Sequence, residues 1–185
     1  VLDECKIPYT YHENISDVCG KLLADKKILG WFQGRMEWGP RALGNRSIIA
    51  DPRDPKMKDQ INDRVKRREH WRPYCASVLT EEYNRYFEKG TPLSDFMILA
   101  FPVKKETRNE IAAAVHVDGT TRPQSVSRET NPRFWQLIKR FSQESGVPAV
   151  LNTSFNVKGE PMVCAPLDAI RCFYSCGLDY LALGN

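Results

Sequence analysis

Apolar positions along the chain alternate between helical and strand-like spacing. Val18, Cys19, Leu22 and Leu23 recur at three and four residues, predicting a helix capped by Ser16 that runs to about Lys26. The compact apolar run 28–33 reads as a buried strand, and 47–50 as another beyond a long polar loop. Asp54-Pro55 is a cap followed by proline, opening a helix toward Arg64. Residues 74–79 read as a strand and 81–87 as a short helix. Two further strands are expected at 97–103 and 111–117, separated by the charged turn Lys104-Lys105-Glu106. Asn131-Pro132 opens the clearest helix, with Phe134, Leu137, Ile138 and Phe141 on one face and Gly146 at its end. A strand at 148–151 follows. Pro166 starts a last helix with Ile170, Phe173 and Tyr174 inside, stopped by Gly177, and 179–183 reads as the final strand. Strands and helices interleave without segregating, so the fold class is α/β (α+β) with a mixed sheet, in one domain over 1–185.

Composition narrows this little. The 185 residues are 42% hydrophobic and 27% charged, which excludes bulk disorder, collagen-like repeats and a coiled-coil rod. No run approaches the roughly 20 apolar residues of a membrane-crossing helix. The chain begins with Val1, and no basic start, apolar centre and cleavage site resembling a signal peptide follows it; a piece of a longer protein is expected. Without an export signal, the sequons at Asn14, Asn45 and Asn152 carry no weight, and the six cysteines are expected as reduced thiols of a cytoplasmic protein. No Cys-x-x-Cys pair exists. Cys172 and Cys176, four apart on one helix face, read better as buried small hydrophobes than as metal ligands.

Charge placement changes the picture. The net charge is +4, yet residues 35–72 hold eleven basic and six acidic side chains, so the whole excess sits there. Three loops follow strands and carry the chemistry. The first, Gly34-Arg-Met-Glu-Trp-Gly-Pro-Arg-Ala-Leu-Gly-Asn-Arg-Ser47, combines glycines that permit close backbone approach with guanidinium forks that match phosphate or carboxylate. It matches neither standard nucleotide-loop motif, and reads equally as a solvated loop with surface ion pairs. The second, Lys66-Arg-Arg-Glu-His-Trp-Arg-Pro73, is either a solvated charge run or a stiff basic wall. The third, Leu151-Asn-Thr-Ser-Phe-Asn156, lies at the end of a buried strand, where α/β sheets bind ligands; its polar side chains could equally be ordinary turn residues. Arg122 reads alone as a surface arginine, and His116 with Asp118 as a structural histidine rather than a metal pair.

Together these segments, with Ala50-Asp-Pro-Arg53, Arg72-Pro73, His116-Val-Asp-Gly119 and Gly159-Glu-Pro161, resemble the C-terminal domain of the O-carbamoyltransferase family typified by the nodulation protein NodU and the tobramycin carbamoyltransferase TobZ. The resemblance covers about residues 9–184. It implies a YrdC-like fold, a twisted mixed sheet with helices around a basic cavity. It implies that carbamoyl phosphate and ATP, with Mg²⁺ brought by the nucleotide, give carbamoyladenylate and pyrophosphate. An N-terminal domain of the actin-like ATPase superfamily, carrying iron and absent from this chain, would pass the carbamoyl group to a substrate hydroxyl. The full-length protein is allowed to be a homodimer.

On the matching positions, the resemblance assigns Arg41, Lys66 and Arg72 to carbamoyl phosphate and the developing charge, and Arg122 to the nucleotide phosphates. Asn152 and Ser154 would hold the adenylate with Asn156 in support, and Arg46 and Ser47 would stand behind them. No metal ligand is assigned. Trp38 and Cys75 replace the family's usual Phe and Ala, and Arg35, Glu37, Arg67 and Arg68 are expected to do no more than shape the loops. Two other readings compete: an RNA-binding YrdC-like module using the basic stretch, disfavoured by the modest net charge, and a threonylcarbamoyl-adenylate synthase-like enzyme, against which the long Gly34 loop speaks. The acceptor alcohol is not legible.

Overall fold

The computed structural model describes residues 1–185. A helix α1 (Ile15–Ala24) leads into strand β1 (Leu29–Phe32), and β2 (Arg46–Ala50) follows the long loop. Helix α2 (Lys56–Ile61) continues through a wide π turn (Asn62–Lys66), and β3 (Cys75–Leu79) through a 3₁₀ turn into the short α3 (Tyr83–Tyr86). β4 (Phe101–Pro102), a 3₁₀ helix (Lys105–Ala114), β5 (Thr120–Thr121) and β6 (Gln124–Val126) come next. Helix α4 (Pro132–Ser145), β7 (Ala149–Ser154), α5 (Pro166–Ser175) and β8 (Tyr180–Leu183) complete the chain.

Six strands form one mixed sheet in the order β6-β3-β7-β2-β1-β8, and β4 pairs with β5 apart from it. The interior strands β1, β2, β3 and β7 are buried almost throughout, as expected of strands covered on both faces. On one face Leu23 of α1 and Phe134, Leu137, Ile138 and Phe141 of α4 pack with Leu29, Ile49 and Val150. On the other, Met57 and Ile61 of α2 and Ala169 and Cys172 of α5 pack with Ile48, Ala50 and Leu151. The mixed α/β sheet expected from the sequence is therefore present as a three-layer arrangement.

Several boundaries differ from the sequence reading. Asn14, not Ser16, caps α1 by accepting from the Asp17 N–H at 3.3 Å; the Ser16 hydroxyl instead donates to the Arg133 carbonyl at 2.9 Å. Residues 111–117 are no strand: Ile111 to Ala114 end a 3₁₀ helix, and only Phe101–Pro102 of the preceding segment pairs. β7 runs through Ser154, so Asn152 is a strand residue rather than part of a loop. Tyr174 faces solvent, at 65% exposure. Asn131 caps α4 by accepting from the Phe134 N–H at 3.2 Å, and Gly146 ends it in the left-handed region, both as the sequence predicts.

Candidate anion-binding site

The loop between β1 and β2 is folded on itself by one carboxylate. Glu37 Oε1 accepts backbone N–H groups of Leu43 at 2.7 Å, Asn45 at 2.7 Å and Arg46 at 3.1 Å. Gly44 has φ +100°, and a Cβ there would overlap the Phe134 ring, so the bend requires glycine. Trp31 Nε1 donates to the Gly44 carbonyl at 2.8 Å, and the Gly44 N–H donates to Ser47 Oγ at 3.0 Å. Arg46 is buried, its guanidinium stacked 3.5 Å from the Phe32 ring centroid and donating to the carbonyls of Gln33, Asn45 and Gly34. Arg46 and Ser47 hold the loop and line neither of the cavities described next, so the structure gives them no place facing a ligand.

This bracing leaves Arg41 free to face inward. A cavity of about 120 Å³ is lined by Arg41, Arg68, Arg122, Asn152, Thr153 and Ser154, with Cys75 among its walls. Arg41 and Arg122 come from different loops, and neither forms an ion pair with a carboxylate. Arg68 donates to Asn62 Oδ1 at 2.9 Å and lies 4.8 Å from the Tyr74 ring centroid. Burial pushes the Cys75 thiol up, opposed by the cationic arginines around it. A second cavity of about 380 Å³, lined by Lys66, Arg68, Arg72, Ser154, Asn156 and Lys158 among others, shares Arg68 and Ser154 with the first. The two therefore adjoin along the carboxyl end of β7.

Lys66 is only 3% exposed, and its ammonium is already occupied. It donates to the Ser154 carbonyl at 2.5 Å, the Asn156 carbonyl at 2.9 Å, Asn156 Oδ1 at 2.6 Å and Ser154 Oγ at 3.3 Å. Burial, with the Arg68 charge nearby, pulls this lysine down to about 7. Its geometry is that of a clamp that sets the turn after β7. Arg72 stands at the second cavity with its Nε 2.9 Å from Glu69 Oε2.

The structure divides the residues that the resemblance grouped at carbamoyl phosphate: Arg41 joins Arg122, Asn152 and Ser154 at one cavity, whereas Lys66 and Arg72 stand with Asn156 and again Ser154 at the other. The sequence reading missed Arg68, which lines both. The signal was present but indistinct: four cations in eight residues look alike until Arg67 turns away with φ +47° and donates to the Ser175 carbonyl. His116 is held between Thr120 Oγ1 at 3.2 Å and the Tyr74 carbonyl at 3.3 Å, and burial lowers its pKa. Cys172 is buried, and the Cys176 thiol donates to its carbonyl at 2.9 Å. Another cavity, about 420 Å³, lies elsewhere, between α1, α5 and β8, and is mostly apolar. It offers no arginine or lysine to an anion.

The family model for the carbamoyltransferase C-terminus matches residues 20–185. The chain belongs to the carbamoyltransferase C-terminus family. The chain is similar to the nodulation protein NolNO of Sinorhizobium fredii, 45% identical over 94% of the chain and 26% of that protein's length. It therefore spans about a quarter of that relative. Among solved structures, P. abyssi Sua5 complexed with L-threonine superposes with a TM-score of 0.66 at 13% identity, over 96% of this chain and 48% of that one. Full-length HypF in a phosphate- and nucleotide-bound form does so with a TM-score of 0.65 at 17% identity, over 92% and 25%. At such identities the likeness is one of fold, and it matches the expected YrdC-like architecture. No helix of the chain is long and apolar enough to cross a membrane.

Proposed function

We propose that this domain binds carbamoyl phosphate and ATP in the two adjoining cavities and forms carbamoyladenylate with release of pyrophosphate. A further domain of the whole protein, the iron-bearing one of the actin-like ATPase superfamily, would then transfer the carbamoyl group to a hydroxyl. The observation that carries this reading is the meeting of Arg41, Arg68 and Arg122 at one cavity with no carboxylate among its walls. Three cations left without counter-charges are a pre-formed site for a polyanion.

The chemistry needs such a site. Water splits carbamoyl phosphate into carbamate and inorganic phosphate; a carbamate oxygen then attacks the α-phosphorus of ATP, and the bond from the α-phosphorus to the bridging oxygen breaks to free pyrophosphate. Two anions brought to about 4 Å repel by about 4 kcal/mol at an effective dielectric constant near 20. Fixed guanidinium groups offset that repulsion and stabilise charge gathering on the equatorial oxygens, with positioning doing most of the remaining work. No group of three or more His, Cys, Asp or Glu side chains gathers to cage a metal; Mg²⁺ in this reading arrives on the nucleotide phosphates.

Carbamoyl-phosphate-dependent ATP–pyrophosphate exchange tests the reading. The domain supports exchange, and Arg41→Ala or Arg122→Ala lowers it at least about a hundredfold while the circular dichroism spectrum is kept. Exchange unchanged in both variants, or absent from the wild-type chain, refutes it.

A further inference from the structure

β8 closes one end of the six-stranded sheet and has a neighbour, β1, on one side only. An uncovered edge strand leaves backbone donors and acceptors unpaired, and folds blunt such edges with charge, proline or a covering segment. β8 is Tyr180, Leu181, Ala182 and Leu183, with neither charge nor proline. No backbone hydrogen bond joins it to the N-terminal segment 1–13 beside it. All four of its residues line the apolar cavity of about 420 Å³.

The flanking helices are left unfinished on the same side. Ile170, Phe173 and Tyr174 make one apolar face of α5, which the sequence reads as inside. In the fold that face runs past the sheet into this cavity, and Tyr174 reaches solvent. Its ring stands edge-on to Phe173, with centroids 5.3 Å apart, so it is held in place. Val18 and Leu22 of α1 face the same space and are only half-buried. Asp179, the one carboxylate among the walls, is taken up by Arg64 at 2.8 Å and by the Ile28 N–H at 2.7 Å. Two incomplete helix faces, an open strand edge and ordered tyrosines form a surface built to be covered.

We infer that the part of the whole protein preceding this domain docks in the groove between α1, α5 and β8. The family is that of a carbamoyltransferase C-terminus, and the chain spans about a quarter of NolNO, so most of such a protein lies before this domain. Leu2, Ile7 and Tyr9 themselves line the groove, so a preceding segment arrives at its lip. A neighbour tethered there is present at an effective concentration of roughly millimolar, which a second copy or a free ligand does not match. The groove is remote from the arginine cavities, and the inference does not rest on the proposed reaction.

Hydroxyl-radical footprinting of the whole protein against this chain alone tests it. Because an interface core excludes water, oxidation of Tyr174 and Tyr180 should slow at least about fivefold in the whole protein. Tyr174→Lys puts a charge into the apolar groove and should return Tyr180 to within about twofold of its rate in the chain alone. Equal rates in the whole protein and the chain alone overturn the inference. So does protection confined to Trp38 and Trp71 beside the arginine cavities. Dimerisation of the chain alone at micromolar concentration, with Tyr174 and Tyr180 protected, gives the groove to a second copy and overturns it too. The wild-type comparison decides the matter even where the variant does not fold, and loss of ATP–pyrophosphate exchange would leave it standing.

Discussion

Glu37 offers the most direct test of how the site is built. One carboxylate oxygen accepts three backbone N–H groups spread over four residues, at 2.7, 2.7 and 3.1 Å. Arg46 is buried, whereas Leu43 and Asn45 are half-buried, so after Glu37→Ala the last two can recover part of their hydrogen bonding from water. Charge-assisted bonds contribute about 1.5–3 kcal/mol each and partly rehydrated ones less, so Glu37→Ala should cost about 3–5 kcal/mol. Glu37→Gln keeps a carbonyl acceptor but not the charge, and should lose about half as much. For a chain of this size each kcal/mol moves the melting temperature by about 2–4 °C, which puts Glu37→Ala about 6–20 °C below wild type in differential scanning calorimetry. Because Arg41 sits within the braced loop, the carbamoyl-phosphate-dependent exchange should fall in step, and more steeply for Ala than for Gln. A Glu37→Ala cost under about 1 kcal/mol, or equal losses in the two variants, would show that the loop is held by something other than this carboxylate.

Two further outcomes follow from the same geometry. Gly44→Ala combines a left-handed backbone with a side chain driven into the Phe134 ring, and should destabilise by at least about 2 kcal/mol; an unchanged urea midpoint would refute the packing argument. Lys66 gives a pH test. Its folded value of about 7 lies below the ordinary 10.5, so between those values the unfolded chain holds the extra proton and stability rises with pH. Lys66→Met lacks that slope, and the wild-type advantage should grow by at most about 1.4 kcal/mol per pH unit across this window in urea titrations at pH 7.5 and 9.5; a gap that is flat or narrows is the refuting result.

What could be read in the sequence was whatever local chemistry decides. α4 carries its own cap, a proline at the first turn, a clear apolar face and a terminal glycine, and its limits fall where those signals stand. The segment at 111–117 carries only a short alanine-rich apolar run, which fits a strand or a tight helix equally until the sheet chooses its members. β7 was cut short because Asn152, Thr153 and Ser154 are polar. In the fold the Asn152 amide nitrogen is satisfied by Ala42, Ser77 and Gln124, residues 28 or more positions away, and no local pattern reports such partners. Lys66 shows the same limit from the other side: the bonds that hold its ammonium come from Ser154 and Asn156, both beyond 80 residues away, while it also lines the second cavity.

The division of labour among cations follows from burial. Arg46 and Lys66 have their donors filled by backbone carbonyls, so they define where the loops lie and have little capacity left for an anion. Arg41 and Arg122 keep theirs open, and Arg68, tied through one nitrogen to Asn62, keeps the rest of its fork. Leaving guanidinium groups near one another without carboxylates works against folding, because their mutual repulsion has no local compensation. The braced loop, the lysine clamp and the central strand supply rigidity that tolerates it. A site arranged this way is ordered before its ligand arrives, so ligand charge meets oriented donors with little reorganisation, which is what electrostatic stabilisation of a phosphoryl-transfer step demands.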